Sequence, residues 1–299
     1  MSGKENKYKT LATDTFLFAI SSFGSKILMF LLTPLYTSIL LTEEYGVADL
    51  IITTINFIYP ILTLAIADAA LRFALDKNAS KNMVFIVSMS FTVISAFLLL
   101  CVYPLMGLLS PTIKTYYLFF VLIYLLFNIH NTLSNFVKGI EKIKIFAMQG
   151  IIQTVAIIVS NVYFLLIAKI GLNGYLISII IGYICPSVYM FFAAKLYCFI
   201  IPFKFDKFTI KEMLKYSIPM IPTILSWAIN TSIDKYMIIG LVGLSASGIY
   251  SVAHKIPTLL TTVLSVFTQA WQISAINNYG SEDESDYYTK IYSGLNLMC

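Results

Sequence analysis

The chain has 299 residues, of which 59% are hydrophobic and only 12% are charged. Soluble domains usually carry about 25% charged residues. Together with a mean hydropathy of +0.83, this composition excludes a soluble globular domain and indicates a multi-pass membrane protein. The net charge of +5 comes from lysines spread along the chain, so nucleic acid is not an expected partner.

Eight apolar stretches are long enough to cross a bilayer, which takes about 20 residues. The predicted spans are roughly 15–41, 47–71, 83–109, 116–137, 144–168, 172–200, 216–242 and 248–275. A short acidic turn, residues 41–46, separates the first two spans. The first apolar run is too long for the core of a signal peptide, so we predict a retained first span. The fold class is therefore an all-α polytopic membrane protein.

The basic residues of the connectors alternate in number from one side of the membrane to the other. One side holds only Lys114 and Lys169, whereas the other basic residues of the connectors, Arg72 among them, fall on the opposite side. Because cytoplasmic loops carry an excess of lysine and arginine, this asymmetry predicts a cytoplasmic N-terminus.

The spacing of the spans predicts three regions, namely a six-helix lobe at 1–200, a linker at 201–215 and part of a second lobe at 216–299. If the two lobes are equivalent, the second has only two spans where the first has six, which suggests a C-terminal truncation. The linker lysines 204, 207, 211 and 215 recur at helical spacing, with Phe208, Met213 and Leu214 expected on the other side. Such a linker is either an amphipathic helix on the cytoplasmic leaflet or a basic loop that only sets topology.

Polar residues on one face of the first two spans predict a hydrated cavity. Lys26 lies deep in the first span, and Asp49, Thr53 and Asn56 share one face of the second. Lipid offers these groups no hydrogen-bonding partner, so they should face another helix or water. Lys26 then meets either a ligand or a structural counter-ion.

Further polar stripes extend this predicted lining to later spans. The fourth span contributes Asn128, Asn131 and Asn135, the seventh Ser226 and Asn230, and the eighth Lys255 and Thr258. Amides can bind sugar hydroxyls, but they also join helices to one another. His130 lies beside the stripe of the fourth span and is expected to be a hydrogen-bonded core histidine.

No motif of an enzyme is present: there is no Walker A, HExxH or GxSxG pattern. We therefore expect no catalytic residue, cofactor or metal site. Movement of a substrate would be passive or coupled to an ion or the membrane potential. Asp49 and Asp234 are the candidates for ion coupling.

Several segments resemble bacterial polysaccharide flippases of the O-antigen type, which belong to the multidrug/oligosaccharidyl-lipid/polysaccharide (MOP) superfamily. These segments are 23–28 (FGSKIL), 32–36 (LTPLY), 44–49 (EYGVAD), 69–73 (AALRF), 216–222 (YSIPMIP), 234–238 (DKYMI) and 248–256 (GIYSVAHKI). The resemblance implies two lobes of 12 to 14 spans in all, around a V-shaped cavity. It also implies that cavity lysines contact a lipid diphosphate, and Lys26 and Lys255 match two such positions, while the second span carries Asp49 instead.

From this resemblance we expect a flippase that moves undecaprenyl-diphosphate-linked glycans from the cytoplasmic to the outer leaflet of the bacterial cytoplasmic membrane. Membrane lipids, a polysaccharide polymerase and glycosyltransferases are the expected partners. One alternative is a drug/cation antiporter of the same superfamily, which would use buried acids. The other is a scaffold for glycan-synthesis enzymes that transports nothing.

Overall fold

A computed structural model describes residues 32–76, 79–102, 111–200 and 206–257, which form helices joined by short turns. The α-helices are α1 Thr33–Ile39, α2 Thr42–Leu62, α3 Ile66–Leu75, α4 Lys81–Cys101, α5 Pro111–Thr115, α6 Tyr117–Gly139, α7 Ile143–Asn161, α8 Gly171–Ala193, α9 Lys207–Ser217, α10 Ile221–Leu241 and α11 Leu244–Ala253. A π-helical segment, Val162–Ile167, extends α7, and 3-10 turns at Leu196–Phe199 and Ile218–Met220 follow α8 and α9. The predicted all-α class is confirmed.

Five helices in the described part of the chain are long and apolar enough to cross a membrane. They are α2, α4, α6, α7 with its π extension, and α8, and they correspond to the second to sixth predicted spans. The seventh predicted span contains α10, whose polar residues keep it out of this group of five. The first and eighth predicted spans lie largely outside the described residues, which include only α1 and α11 from them.

The second predicted span is interrupted, contrary to the sequence-based expectation. Leu64 and Ala65 have φ angles of 53° and 51°, in the left-handed region, and they separate α2 from α3. The predicted turn at 41–46 is also mostly helical, because α2 begins at Thr42. Glu44 accepts a hydrogen bond from the Leu41 backbone N–H at 2.9 Å, and its negative charge is favourable at a helix N-terminus.

Helices α2 to α8 pack around two buried apolar clusters. One cluster surrounds the start of α2 and includes Ile51, Phe120 and Leu176. The other lies at the far end of these helices, where Ala74 and Phe136 are buried. We call the first end the turn end, because the α1–α2 and α10–α11 connections both lie there, and the second the linker end, because α9 packs there against α3 and α4.

Helix α9 forms where the amphipathic linker helix is predicted. Asp206 caps it: its carboxylate accepts hydrogen bonds from the Thr209 hydroxyl at 2.8 Å and from the backbone N–H groups of Phe208 and Thr209. The Thr209 hydroxyl bond, followed by the two backbone bonds, lowers the pKa of this carboxyl below its usual value. The charged form of Asp206 is therefore the one that stabilises the start of α9.

Replacing Asp206 with alanine should loosen the first turn of α9 at neutral pH. Because the folded-state pKa is lowered, the cap contributes above the unfolded-state value and is lost as pH falls through the folded one. The difference in amide exchange protection of Phe208 and Thr209 between wild type and Asp206→Ala should therefore vanish in acid. Asp206→Asn is the matched control, since an amide caps without titrating. A difference that does not change with pH would contradict this assignment.

Candidate functional site

Helices α2 and α11 approach each other closely enough that only glycine fits at two positions. A Cβ atom added to Gly46 would overlap the carbonyl oxygen of Leu244, and one added to Gly248 would overlap the carbonyl oxygen of Thr42. The contact is thus reciprocal between the two helices. Next to it, the Thr42 and Ser245 hydroxyls are 2.6 Å apart and form a hydrogen bond.

An ion pair lies one turn further into the bundle. The Lys235 ammonium donates to Asp49 Oδ1 at 2.8 Å, and the Ser251 hydroxyl donates to Asp49 Oδ2 at 2.7 Å. The side chains of Lys235 and Asp49 are each 17% exposed. Both oxygens of the carboxylate are therefore used in joining α2 to α10 and α11, which satisfies the requirement that a largely buried charge be paired.

Lys255, predicted as a cavity cation, follows α11 and points back at α1 and the start of α2. Its ammonium donates to the Thr33 hydroxyl at 3.2 Å. It also lies 5.0 Å from the ring centroids of both Tyr36 and Tyr45, a cation–π geometry. Tyr36 is held in turn by Asn161, whose side-chain amide donates to the tyrosine hydroxyl at 3.1 Å. Lys255 is thus positioned by aromatic faces and a hydroxyl.

Two further polar contacts complete the site. The Thr54 and Tyr236 hydroxyls are 3.0 Å apart, which joins α2 to α10. Asp234 is exposed and accepts a hydrogen bond from the Tyr250 hydroxyl at 3.1 Å, which joins α10 to α11. Asp234 and Asp49, both predicted for ion coupling, therefore have different surroundings: the first is at the surface and the second is in the interface.

The site holds two lysines, Lys235 and Lys255, and two aspartates, Asp49 and Asp234, but its charges are not paired one to one. Lys235 is neutralised by Asp49, whereas Lys255 has no carboxylate within 4.0 Å among the described residues and interacts with Asp49 only over a longer distance. In a medium of low dielectric constant, an unneutralised ammonium attracts anions more strongly than it does in water. The arrangement can therefore receive an anionic group.

The remaining predicted lining residues of the second, seventh and eighth spans have varied environments. Thr53 is buried and Asn56 is exposed on α2. Ser226 and Asn230 are exposed on α10, where Ser226 donates to the Pro222 carbonyl at 2.8 Å. The predicted cavity residues Lys26 and Thr258 lie outside the described residues.

The amides of α6 lie within the bundle formed by helices α2 to α8. Asn128 is buried and donates to the Tyr124 carbonyl of its own helix at 2.8 Å. Asn135 is also buried and Asn131 is half-buried. His130 shares a hydrogen bond of 2.8 Å with Gln149 of α7, as expected of a hydrogen-bonded core histidine. The His130–Gln149 bond joins α6 to α7, whereas the Asn128 bond lies within α6.

Sequence reasoning did not assign Lys235, Ser251, Tyr36 or Tyr45 to the site. A tyrosine within an apolar run does not by itself indicate a functional site, and a single serine such as Ser251 is common in membrane helices. The available signal was the pair Gly46 and Gly248, each the fifth residue of its helix after a short turn. Because glycine allows helices in membranes to approach closely, this correspondence pointed to a contact between α2 and α11.

Comparison with known proteins agrees with this architecture. The sequence profile of the family described as "Polysaccharide biosynthesis protein" matches residues 11–272. No curated protein matched by sequence.

Two solved structures share the fold at low sequence identity. The MATE multidrug transporter DinF-BH gives a TM-score of 0.67 at 15% identity, over 93% of this chain and 67% of that one. A multidrug resistance MATE family transporter of the MOP superfamily, in an inward-facing conformation, gives a TM-score of 0.62 at 16% identity, over 91% of this chain and 70% of that one. With this fold and a profile match over most of its length, the chain belongs to the polysaccharide biosynthesis protein family.

Proposed function

We propose that this protein is a flippase that carries undecaprenyl-diphosphate-linked oligosaccharides from the cytoplasmic to the outer leaflet, and that the turn end is its outer gate in the closed state. The supporting observation is that five polar contacts cross between residues 33–54 and 235–255 beside a closely packed pair of glycines. Family membership supports the link to polysaccharide synthesis.

Polar contacts suit a gate that opens into water. A hydrogen bond within a protein contributes only about 0.5–1.5 kcal/mol net, since water replaces it when it breaks. The Thr42–Ser245 and Thr54–Tyr236 pairs can therefore separate at low cost when water enters. The distribution of lysines supports placing this end outside, with the N-terminus in the cytoplasm of the bacterial cell.

The charges of the site suit a diphosphate. An ammonium is a compact donor for phosphate oxygens, and Lys255 has no carboxylate partner within 4.0 Å among the described residues. A diphosphate that reaches this site competes with Asp49 for Lys235. The anion then weakens the ion pair that joins α2 to α10. The substrate therefore binds the open state with higher affinity than the closed state, and its binding shifts the protein towards the open state.

In this proposal, residues 1–200 form one lobe, 216–299 belong to the second, and 201–215 join them. The polar residues of α2, α6 and α10 line the path of the sugar, together with Lys26 and Thr258. Transport needs no catalytic residue or cofactor. Glycosyltransferases that supply the glycan and a polymerase that consumes it are the proposed partners.

Replacing Lys255 with glutamine should lower transport by about 10- to 100-fold, because a charged hydrogen bond contributes about 1.5–3 kcal/mol. The measurement uses cells that lack the chromosomal copy of the gene and quantifies diphosphate-linked glycan on each leaflet at matched expression. Lys255→Arg should retain part of the activity, since arginine keeps the charge. Lys114→Gln is the matched control, because Lys114 is exposed on the short helix α5.

The same experiment separates the alternatives. Equal transport by Lys255→Gln and Lys114→Gln would contradict the role of Lys255. If no glycan accumulates on the inner leaflet and the cells become sensitive to cationic drugs, the protein is an antiporter, a function favoured by the fold shared with multidrug transporters. Glycan assembly that fails while flipping of the existing intermediates continues would identify a scaffold.

A further inference from the structure

One face of α9 combines exposed lysines with an exposed aromatic ring. Lys207, Lys211 and Lys215 are exposed, and Phe208 between them is 71% exposed. At about 100° per residue, these four side chains occupy an arc of about 100° on the helix. The sequence-based expectation that Phe208 lies on the opposite side from the lysines is therefore wrong.

The other side of α9 packs against α3 and α4. Met213 and Ser217 are completely buried, each with 0% exposure. Tyr216 stacks under Arg72 of α3, with the guanidinium carbon 4.3 Å from the ring centroid. Since this side is occupied by protein, the lysine face must point away from α3 and α4.

From these contacts we infer that the lysine face of α9 binds anionic lipid headgroups at the membrane surface, with Phe208 inserted among the acyl chains. The helix leads through Ile218–Met220 directly into α10, which places it next to the bilayer. Lysines close to an anionic leaflet each gain an electrostatic attraction, and an aromatic ring gains from leaving water. The three lysines match the negative charge of the headgroups, and the aromatic ring between them matches the apolar layer beneath.

This inference is independent of the transported substrate and requires only that the protein spans a membrane. An acidic soluble protein could also attract the lysines. Phe208 favours the lipid surface, since an isolated exposed ring at the membrane interface needs no matching pocket, whereas a protein partner would have to supply one. The proposal therefore commits to anionic phospholipid.

The test uses full-length protein reconstituted in vesicles, with Phe208 replaced by tryptophan and Trp227 and Trp271 replaced by phenylalanine. Fluorescence quenching by brominated phosphatidylglycerol is compared with quenching by brominated phosphatidylcholine at equal mole fraction. We expect quenching by both lipids, with phosphatidylglycerol favoured by about fivefold or more. Replacing all three lysines, Lys207, Lys211 and Lys215, by glutamine should reduce the ratio of quenching by the two lipids to one. Replacing all three by arginine should preserve the ratio.

A matched control removes three exposed lysines elsewhere, Lys81, Lys144 and Lys195, and should leave the preference unchanged. No quenching by either lipid would show that Phe208 lies in water and would overturn the proposal. Equal quenching by the two lipids would overturn the recognition of anionic headgroups. Loss of the preference in both triple variants would overturn the assignment to α9, because it would reflect total charge alone.

Discussion

Replacing Gly46 with valine should prevent the turn end from closing and abolish transport. Any Cβ atom at this position meets the backbone carbonyl of Leu244, and a backbone oxygen cannot move aside as the end of a flexible side chain can. The two helices must therefore separate. With an overpacking cost of about 3 kcal/mol, the closed population falls by about 100-fold relative to the open one.

Closure can be measured by disulfide formation between Thr42→Cys and Ser245→Cys, whose hydroxyl oxygens are 2.6 Å apart in the closed site. The native cysteines at 101, 185, 198 and 299 are first replaced by serine. Crosslinking should be rapid with Gly46 and very slow with Gly46→Val. Gly240→Val is the matched control, because a Cβ atom on Gly240 has nothing within 4 Å. Rapid crosslinking in Gly46→Val would rule out this helix contact as the gate.

Neutralising Asp49 should open the proposed gate as well, and more strongly than neutralising Lys235. Asp49→Asn leaves the Lys235 ammonium uncompensated beside Lys255, so two like charges remain in a largely buried site. Removing one partner of a fully buried pair costs about 3–5 kcal/mol, and about 2–3 kcal/mol is expected at the partial exposure here. Lys235→Gln should destabilise the closed state less, because Asp49 keeps its hydrogen bond from Ser251 and its attraction to Lys255.

The relative sizes of these effects show whether the ion pair, or only the packing of the helices, stabilises the closed state. The same crosslinking rate, measured in Asp49→Asn, Lys235→Gln and the double variant, gives the coupling energy between the two side chains. The crosslinking rate of the double variant should be closer to the wild-type rate than that of Asp49→Asn alone, because the double variant restores the original net charge. Strictly additive effects would mean that the two side chains do not act as a pair.

The amino-acid sequence by itself was sufficient for the membrane class and for the second to sixth predicted spans. An apolar run of about 20 residues has few alternatives in a bilayer, since only a helix satisfies its backbone there. The same reasoning identified Asp49 and Lys255 as unusual, because a charge within such a run requires a partner. Neither inference depends on which helices are neighbours.

The partners themselves were decided by the tertiary structure alone. Helical periodicity assigns a side chain to one face of its own helix, but it does not identify the helix opposite. Asp49 meets Lys235 and Ser251, which are 186 and 202 residues away in sequence. Likewise, the break at Leu64 and Ala65 depends on backbone angles that neither residue favours. The exposure of Phe208 depends on which side of α9 contacts α3, and only the packed bundle determines that.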